Sequence, residues 1–132
     1  MFRNNNLVSQ AFQLEEAGYY SEASQICREI LVDSPDDGDA LHLLGILCNN
    51  MGKYPQAVIL FERSLVVLGQ TPALLHNYAV ALQGLKLLDK ASKIFRLAIA
   101  LDPKKIESRL RLGEVEFTRD NWLQAKKLFK KV

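Results

Sequence analysis

Apolar residues along the chain follow the spacing of amphipathic helices, arranged in pairs. In the stretch 41–51 the three-and-four spacing of one helix face is carried by Leu41, Leu44, Leu47, Cys48 and Met51. The run breaks at Gly52-Lys53, and a second apolar stripe follows over residues 58–68. No segment alternates as a half-buried strand would. The pattern therefore predicts an all-α protein built from pairs of short helices.

The helix pairs recur with a period of 34 residues and without insertion or deletion. An alanine of the second helix recurs as Ala23, Ala57, Ala91 and Ala125. Four residues later stand Cys27, Phe61, Phe95 and Phe129. A small residue of the first helix recurs as Ala11, Gly45, Ala79 and Gly113. The period predicts a single domain, 1–132, of four copies at approximately 4–37, 38–71, 72–105 and 106–132, the last incomplete.

The small residues predict how the copies pack. A helical hairpin of this size cannot bury its own apolar face and must stack on its neighbours. Glycine inside a helix costs about 1 kcal/mol relative to alanine, so Gly45 indicates that another part of the chain comes close. We expect the small positions to permit close helix approach and the phenylalanine rings to fill the layers between copies.

This pattern resembles the tetratricopeptide repeat (TPR) family, which shares the period of 34. The second copy carries the resemblance in Leu41, Leu44-Gly45, Cys48, Ala57 and Phe61, and the third in Leu75, Tyr78-Ala79, Leu82, Ala91, Phe95 and Pro103. Four positions depart from the family pattern: Gln10, Cys27, Arg109 and Glu116. The resemblance implies a right-handed α-solenoid in which the first helices line the concave side.

A partner would then lie in the concave groove, against first-helix residues that point away from the packing stripe. These candidates are Val8, Phe12, His42, Ile46, Asn49, His76, Asn77, Val80, Gln83 and Arg111. The amides of Asn49, Asn77 and Gln83 suit an extended peptide backbone, although such groups also occur on merely solvated faces. The histidines are either groove residues that hydrogen-bond a ligand or plain surface residues.

The remaining features narrow the functional class. The chain is 48% hydrophobic and 24% charged, and its apolar runs are too short for a membrane span. It shows no export signal, no phosphate loop, no nucleophile elbow and no His-Glu-x-x-His helix. We therefore expect a cytoplasmic protein that is not an enzyme and has no metal or cofactor. Cys27 and Cys48 are expected to be buried free thiols, with a redox pair as the alternative.

Charge is unevenly distributed although the net charge is only +2. Residues 1–40 contain eight acids and two bases, giving −6, whereas residues 86–132 contain thirteen bases and six acids, giving +7. The basic end lacks aromatic stacking residues, so we expect no nucleic-acid partner. The asymmetry is explained either by solvated faces or by head-to-tail association of acidic and basic halves.

The predicted function is binding of a peptide or protein segment in the concave groove, in a scaffold or adaptor role. Two alternatives remain open. The chain stops inside the last second helix without a polar capping helix. It is then either the N-terminal TPR region of a larger protein, such as a glycosyl- or sulfotransferase whose substrate it recruits, or a scaffold whose open C-terminal end forms homo-oligomers.

Overall fold

The computed structural model of the chain describes residues 2–119 and 122–130. Eight helices form this part: α1 (Phe2–Glu16), α2 (Tyr20–Asp33), α3 (Gly38–Asn50), α4 (Tyr54–Leu68), α5 (Pro72–Gly84), α6 (Leu88–Leu101), α7 (Ile106–Thr118) and α8 (Trp122–Lys130). The described residues contain no strand, so the prediction of an all-α protein is confirmed. The chain divides into two compact units, Met1–Gly69 (unit 1) and Gln70–Val132 (unit 2), each made of two helical hairpins.

The turns between hairpins carry helix-capping residues. Asp37 caps α3 by accepting a hydrogen bond from the Ala40 N–H at 3.0 Å, and Thr71 caps α5 by accepting one from the Leu74 N–H at 3.2 Å. Prolines stand in the first turns of α4 and α5, where a missing N–H removes no helical hydrogen bond. Residues 34–37 thus connect α2 to α3 and supply the cap of α3.

The turns inside the hairpins share one backbone conformation. Its left-handed residue is Gly18, Gly52 or Lys86, with φ of 88°, 73° and 64°, each 34 residues after the last. The next residue donates its N–H to the carbonyl oxygen five positions back, at 2.8–3.0 Å, in the pairs Tyr19–Leu14, Lys53–Cys48 and Leu87–Leu82. These bonds satisfy carbonyls that the helix end leaves open.

Each unit has its own apolar core. In unit 1 the buried cluster comprises Ala11, Ala23, Cys27, Leu43, Leu44 and Leu47. In unit 2 the fully or nearly fully buried apolar residues are Leu74, Leu75, Tyr78, Ala79, Ala81, Leu82, Ala91, Phe95, Ala98, Leu112 and Val115. Cys27 and Cys48 are buried free thiols. Burial raises the pKa of Cys27 to about 12, so the thiol is uncharged at neutral pH. An uncharged buried thiol packs as a small apolar residue.

Candidate functional site

In unit 1 the predicted groove residues lie on α1 and α3. All five are half-buried: Val8, Phe12, His42, Ile46 and Asn49. Phe12 and Ile46 pack their inner sides on the core cluster of unit 1. The first helices of this unit therefore present a surface that is apolar and held in place by the core beneath it.

In unit 2 the predicted residues lie on α5 and α7. His76, Asn77, Val80 and Gln83 are half-buried, and Arg111 is exposed. Gln83 donates from Nε2 to Glu114 Oε2 at 3.3 Å, and Arg111 Nη1 lies 3.8 Å from the same carboxylate oxygen. The Gln83 carbonyl oxygen, Oε1, is buried and has no hydrogen-bond partner in the described part of the chain. It is an oriented acceptor on a half-buried polar surface.

The two histidines occupy equivalent positions and make equivalent ring contacts. His42 meets Phe61 edge-on with ring centroids 5.9 Å apart, and His76 meets Phe95 in the same way at 5.6 Å. His76 Nδ1 also forms a 2.8 Å hydrogen bond with Ser108 Oγ. Burial, with smaller contributions from Lys105 and Arg111, lowers the pKa of His76 to about 4. At neutral pH His76 is therefore an uncharged hydrogen-bonding group.

The small and aromatic positions meet inside each hairpin. A Cβ atom on Gly45 would lie 2.5 Å from Phe61 Cε1, and one on Gly113 would lie 2.7 Å from Phe129 Cε1. Phe61 and Phe129 thus each lie against the glycine of their own hairpin, and the expectation that the rings also fill the layers between copies stays a prediction. Of the other packing positions, Ala11, Ala23, Ala57, Ala79, Ala91 and Phe95 are completely buried. The side chain of Ala125 lies outside the described residues.

A buried ionic cluster in unit 2 was missed by sequence reasoning. Glu116, only 1% exposed, accepts hydrogen bonds at Oε1 from Ser92 Oγ at 2.6 Å, Arg96 Nη2 at 3.3 Å and Arg119 Nη1 at 3.1 Å. Arg119 also pairs with Asp89 at 2.8 Å. In the sequence Glu116 stood only as a departure from an apolar position. The available signal was Ser92 and Arg96, one helical turn apart on the facing helix.

The described residues contain no group of three or more metal-ligating side chains. None of the helices in this part of the chain has the length and apolar character needed to cross a membrane.

Comparison with known proteins finds a family match for one of the four copies. Residues 72–105 match the sequence profile of the tetratricopeptide repeat, with the same bounds as the third predicted copy. By its sequence the third copy, residues 72–105, is therefore a tetratricopeptide repeat (TPR). No curated protein matches it.

Several solved structures share the fold of this chain. MamA (residues 41 to the end) from Desulfovibrio magneticus RS-1 is 21% identical with a TM-score of 0.88, covering 97% of this chain and 72% of that one. YrrB, described as a TPR protein with an unusual peptide-binding site, is 18% identical with a TM-score of 0.81, covering 94% and 64%. A mutant O-GlcNAc transferase from Thermobaculum terrenum is 23% identical with a TM-score of 0.82, covering 86% and 22%. These likenesses show the all-α TPR fold.

Proposed function

We propose that this protein is a protein-interaction module that binds an extended peptide segment of a partner along its first helices. The observation that carries the proposal is the buried, unpartnered Oε1 of Gln83, one helical turn from half-buried Val80. A buried acceptor without a partner costs about 1–3 kcal/mol. Rotation of the half-buried Gln83 amide would let Oε1 accept a backbone N–H of a bound peptide and remove that cost, while a side chain of the peptide packs on Val80.

Unit 1 supports the same proposal with apolar anchors. Phe12 and Ile46 are half-buried and supported by the core, so they lose little rotamer freedom when a ligand covers them. The amides of Asn49 and Asn77 add donors and acceptors at their own positions. In each unit the first helices thus combine apolar contact area with directional hydrogen bonding.

Affinity capture from a lysate of the source organism tests this function. The bait is the full chain, compared with a Phe12→Ser/Asn77→Ala variant. A matched control, Val66→Ser/Gln70→Ala, makes similar changes at two exposed positions outside the first helices. All baits must fold by circular dichroism. We expect a protein retained by the parent and the control but lost by the first variant; capture by all three would overturn the proposal.

A second candidate is substrate recruitment within a larger transferase. The similarity to the Thermobaculum terrenum enzyme favours it, because that protein is several times longer than the matched segment. An antibody against this chain, used on a lysate of the source organism, tests it. A band well above 14.9 kDa is expected if the repeats belong to a larger protein, whereas a band at 14.9 kDa contradicts that candidate.

Self-association is a third candidate, suggested by the opposite charges of residues 1–40 and 86–132. Exposed charges are screened beyond about 10 Å at 0.1 M salt. An oligomer held by these charges is therefore expected at low ionic strength in analytical ultracentrifugation and should dissociate at 1 M salt. A monomer under both conditions contradicts it.

A further inference from the structure

A serine and an arginine one helical turn apart occur on α2 and recur on α6. They are Ser24 and Arg28 on α2 and, two periods later, Ser92 and Arg96 on α6. Ser24 and Ser92 are equally buried, each 4% exposed. The two helices therefore present the same donor and the same cation at equivalent positions.

In unit 2 this pair holds a carboxylate. Ser92 Oγ donates to Glu116 Oε1 at 2.6 Å, and Arg96 Nη2 lies 3.3 Å from the same oxygen. Glu116 reaches the pair from the next helix, α7. A serine and an arginine in this arrangement thus bind a carboxylate with two charge-assisted hydrogen bonds.

In unit 1 the equivalent carboxylate is missing. The residue two periods before Glu116 is Cys48, whose buried thiol is uncharged and a weak acceptor. Ser24 Oγ is buried and has no hydrogen-bond partner in the described part of the chain, and none of the described carboxylates pairs with Arg28. Burial raises the pKa of the Cys48 thiol, which keeps it neutral. Ser24 and Arg28 therefore lack the acceptor that Ser92 and Arg96 have in Glu116.

Space for an external acceptor lies beside Arg28, which lines two cavities. One cavity, of about 310 Å³, is mostly apolar and is lined by Arg28, Leu44, Cys48, Gln56, Ile59 and Leu60. A second, of about 330 Å³, is mostly polar, and its lining includes Ser24, Arg28 and Lys53. The carboxylate cradle, defined as Ser24, Arg28 and Lys53, thus borders an aliphatic pocket.

We propose that the carboxylate cradle binds the acidic side chain of an internal segment of a partner protein, with a neighbouring aliphatic side chain of that segment in the pocket of Leu44, Ile59 and Leu60. The partner's carboxylate takes the place that Glu116 takes in unit 2. Lys53, which forms no ion pair with a described carboxylate, supplies a second positive charge. The site is formed by α2, α4, the turn between α3 and α4, and Leu44 and Cys48 of α3. None of its residues belongs to the proposed first-helix surface, and the proposal does not depend on that surface.

A double-mutant cycle tests whether the cradle accepts a carboxylate. Cys48→Glu supplies one from the position equivalent to Glu116, and Arg28→Gln removes the cation. We expect Cys48→Glu to lower the melting temperature by several degrees more in the Arg28→Gln background than in the parent. Cys48→Gln, which has nearly the same shape without charge, is the matched control and should show a much smaller difference. Equal effects of Cys48→Glu in both backgrounds would overturn the proposal.

Peptide titration followed by NMR tests the ligand directly and needs no folded Cys48→Glu variant. The probe is acetyl-Gly-Leu-Glu-Gly-amide, compared with peptides in which Gln replaces Glu or Ala replaces Leu. We expect saturable, roughly millimolar binding that shifts the amide signals of Ser24, Arg28 and Cys48. The Gln peptide should bind about tenfold more weakly, because a charge-assisted hydrogen bond is lost.

The variants then locate the binding. Arg28→Gln should weaken the probe about tenfold, whereas Lys93→Gln, which removes an exposed charge from α6, should leave its affinity unchanged. Absence of saturable shifts at these residues, or equal binding of the Glu and Gln peptides, would overturn the proposal. Tighter binding of acetyl-leucine, which carries a terminal carboxylate, would overturn the assignment to an internal acidic side chain.

Discussion

The ring of Phe61 lies directly against Gly45, so close that a Cβ atom on the glycine would stand 2.5 Å from Phe61 Cε1. Phe61 is completely buried and its ring has no solvent to move into. The glycine in the middle of α3 is therefore required by a side chain of α4 in the same hairpin. The helix propensity that it loses is offset by close packing between the two helices.

Gly45→Ala is expected to lower the free energy of unfolding by up to about 2 kcal/mol. Overpacking a filled core costs about 1–3 kcal/mol, and alanine returns only about 1 kcal/mol of helix propensity. Urea unfolding followed by circular dichroism measures the difference. Gly113→Ala is the matched control, because it faces Phe129, which is 43% exposed and can turn outward. Equal losses in the two variants would contradict this account.

Glu116→Gln is expected to lower the free energy of unfolding by about 2 kcal/mol, since it replaces a carboxylate that accepts three hydrogen bonds. Glu114→Gln is the control: it alters an exposed carboxylate near Arg111 and should change stability by less than about 1 kcal/mol. Thermal and urea unfolding measure both. A loss for Glu114→Gln as large as that for Glu116→Gln would show that burial of the ionic cluster is irrelevant.

Glu116 and Ser92 are further expected to be coupled. Glu116→Leu alone leaves the buried Ser92 Oγ without an acceptor, which costs about 1–3 kcal/mol. Glu116→Leu/Ser92→Ala removes both partners and should recover part of that loss in the same unfolding measurement. If the double variant is less stable than Glu116→Leu, the hydrogen bond is not the source of the cost.

The all-α class was predictable because helix formation depends on local spacing. The separation of Ala23 and Ala57 shows the period, and Thr71 followed by Pro72 marks a helix start. Neither signal requires knowledge of how the helices pack. Contacts between helices were harder to predict from the sequence. Periodicity identifies Phe61 as equivalent to Phe95, but not that each ring packs inside its own hairpin.

Individual polar side chains were the hardest to place. Glu116 departs from the repeat pattern, and its partner Ser92 lies 24 residues away, on another helix. The hydrogen bond between His76 and Ser108 likewise joins different copies. The groove candidates were identified only by the helix face on which they lie, and their role in binding remains a prediction.

His76 is expected to make the protein less stable in mild acid. Burial first, then Lys105 and Arg111, lowers its pKa from 6.5 to about 4, against a smaller opposing effect of Glu107. Between about pH 6.5 and pH 4 the unfolded chain binds a proton that the folded chain does not. Stability therefore falls as pH decreases through this window.

The melting temperature of the parent and of His76→Gln, measured from pH 7.5 to pH 4, isolates this effect. Carboxylates titrate in both proteins, so the difference between the two curves reports His76. We expect the parent to lose its advantage progressively below about pH 6.5. Parallel curves would contradict the lowered pKa, and an NMR titration of the imidazole should then show protonation near pH 6.5 in the folded protein.

Lys86→Gly is expected to raise the free energy of unfolding by about 1 kcal/mol. Lys86 has φ of 64°, in the left-handed region that costs a residue with a side chain about 1–2 kcal/mol, whereas Gly18 and Gly52 occupy the same position at no such cost. The gain is partly offset because glycine also loses more backbone entropy on folding. Gly52→Lys is the reciprocal control, and should lower stability by a similar amount in the same urea unfolding experiment. Opposite signs for the two variants show that the backbone of this turn, not its side chain, decides the preference; a loss in both would mean that the Lys86 side chain stabilises the turn.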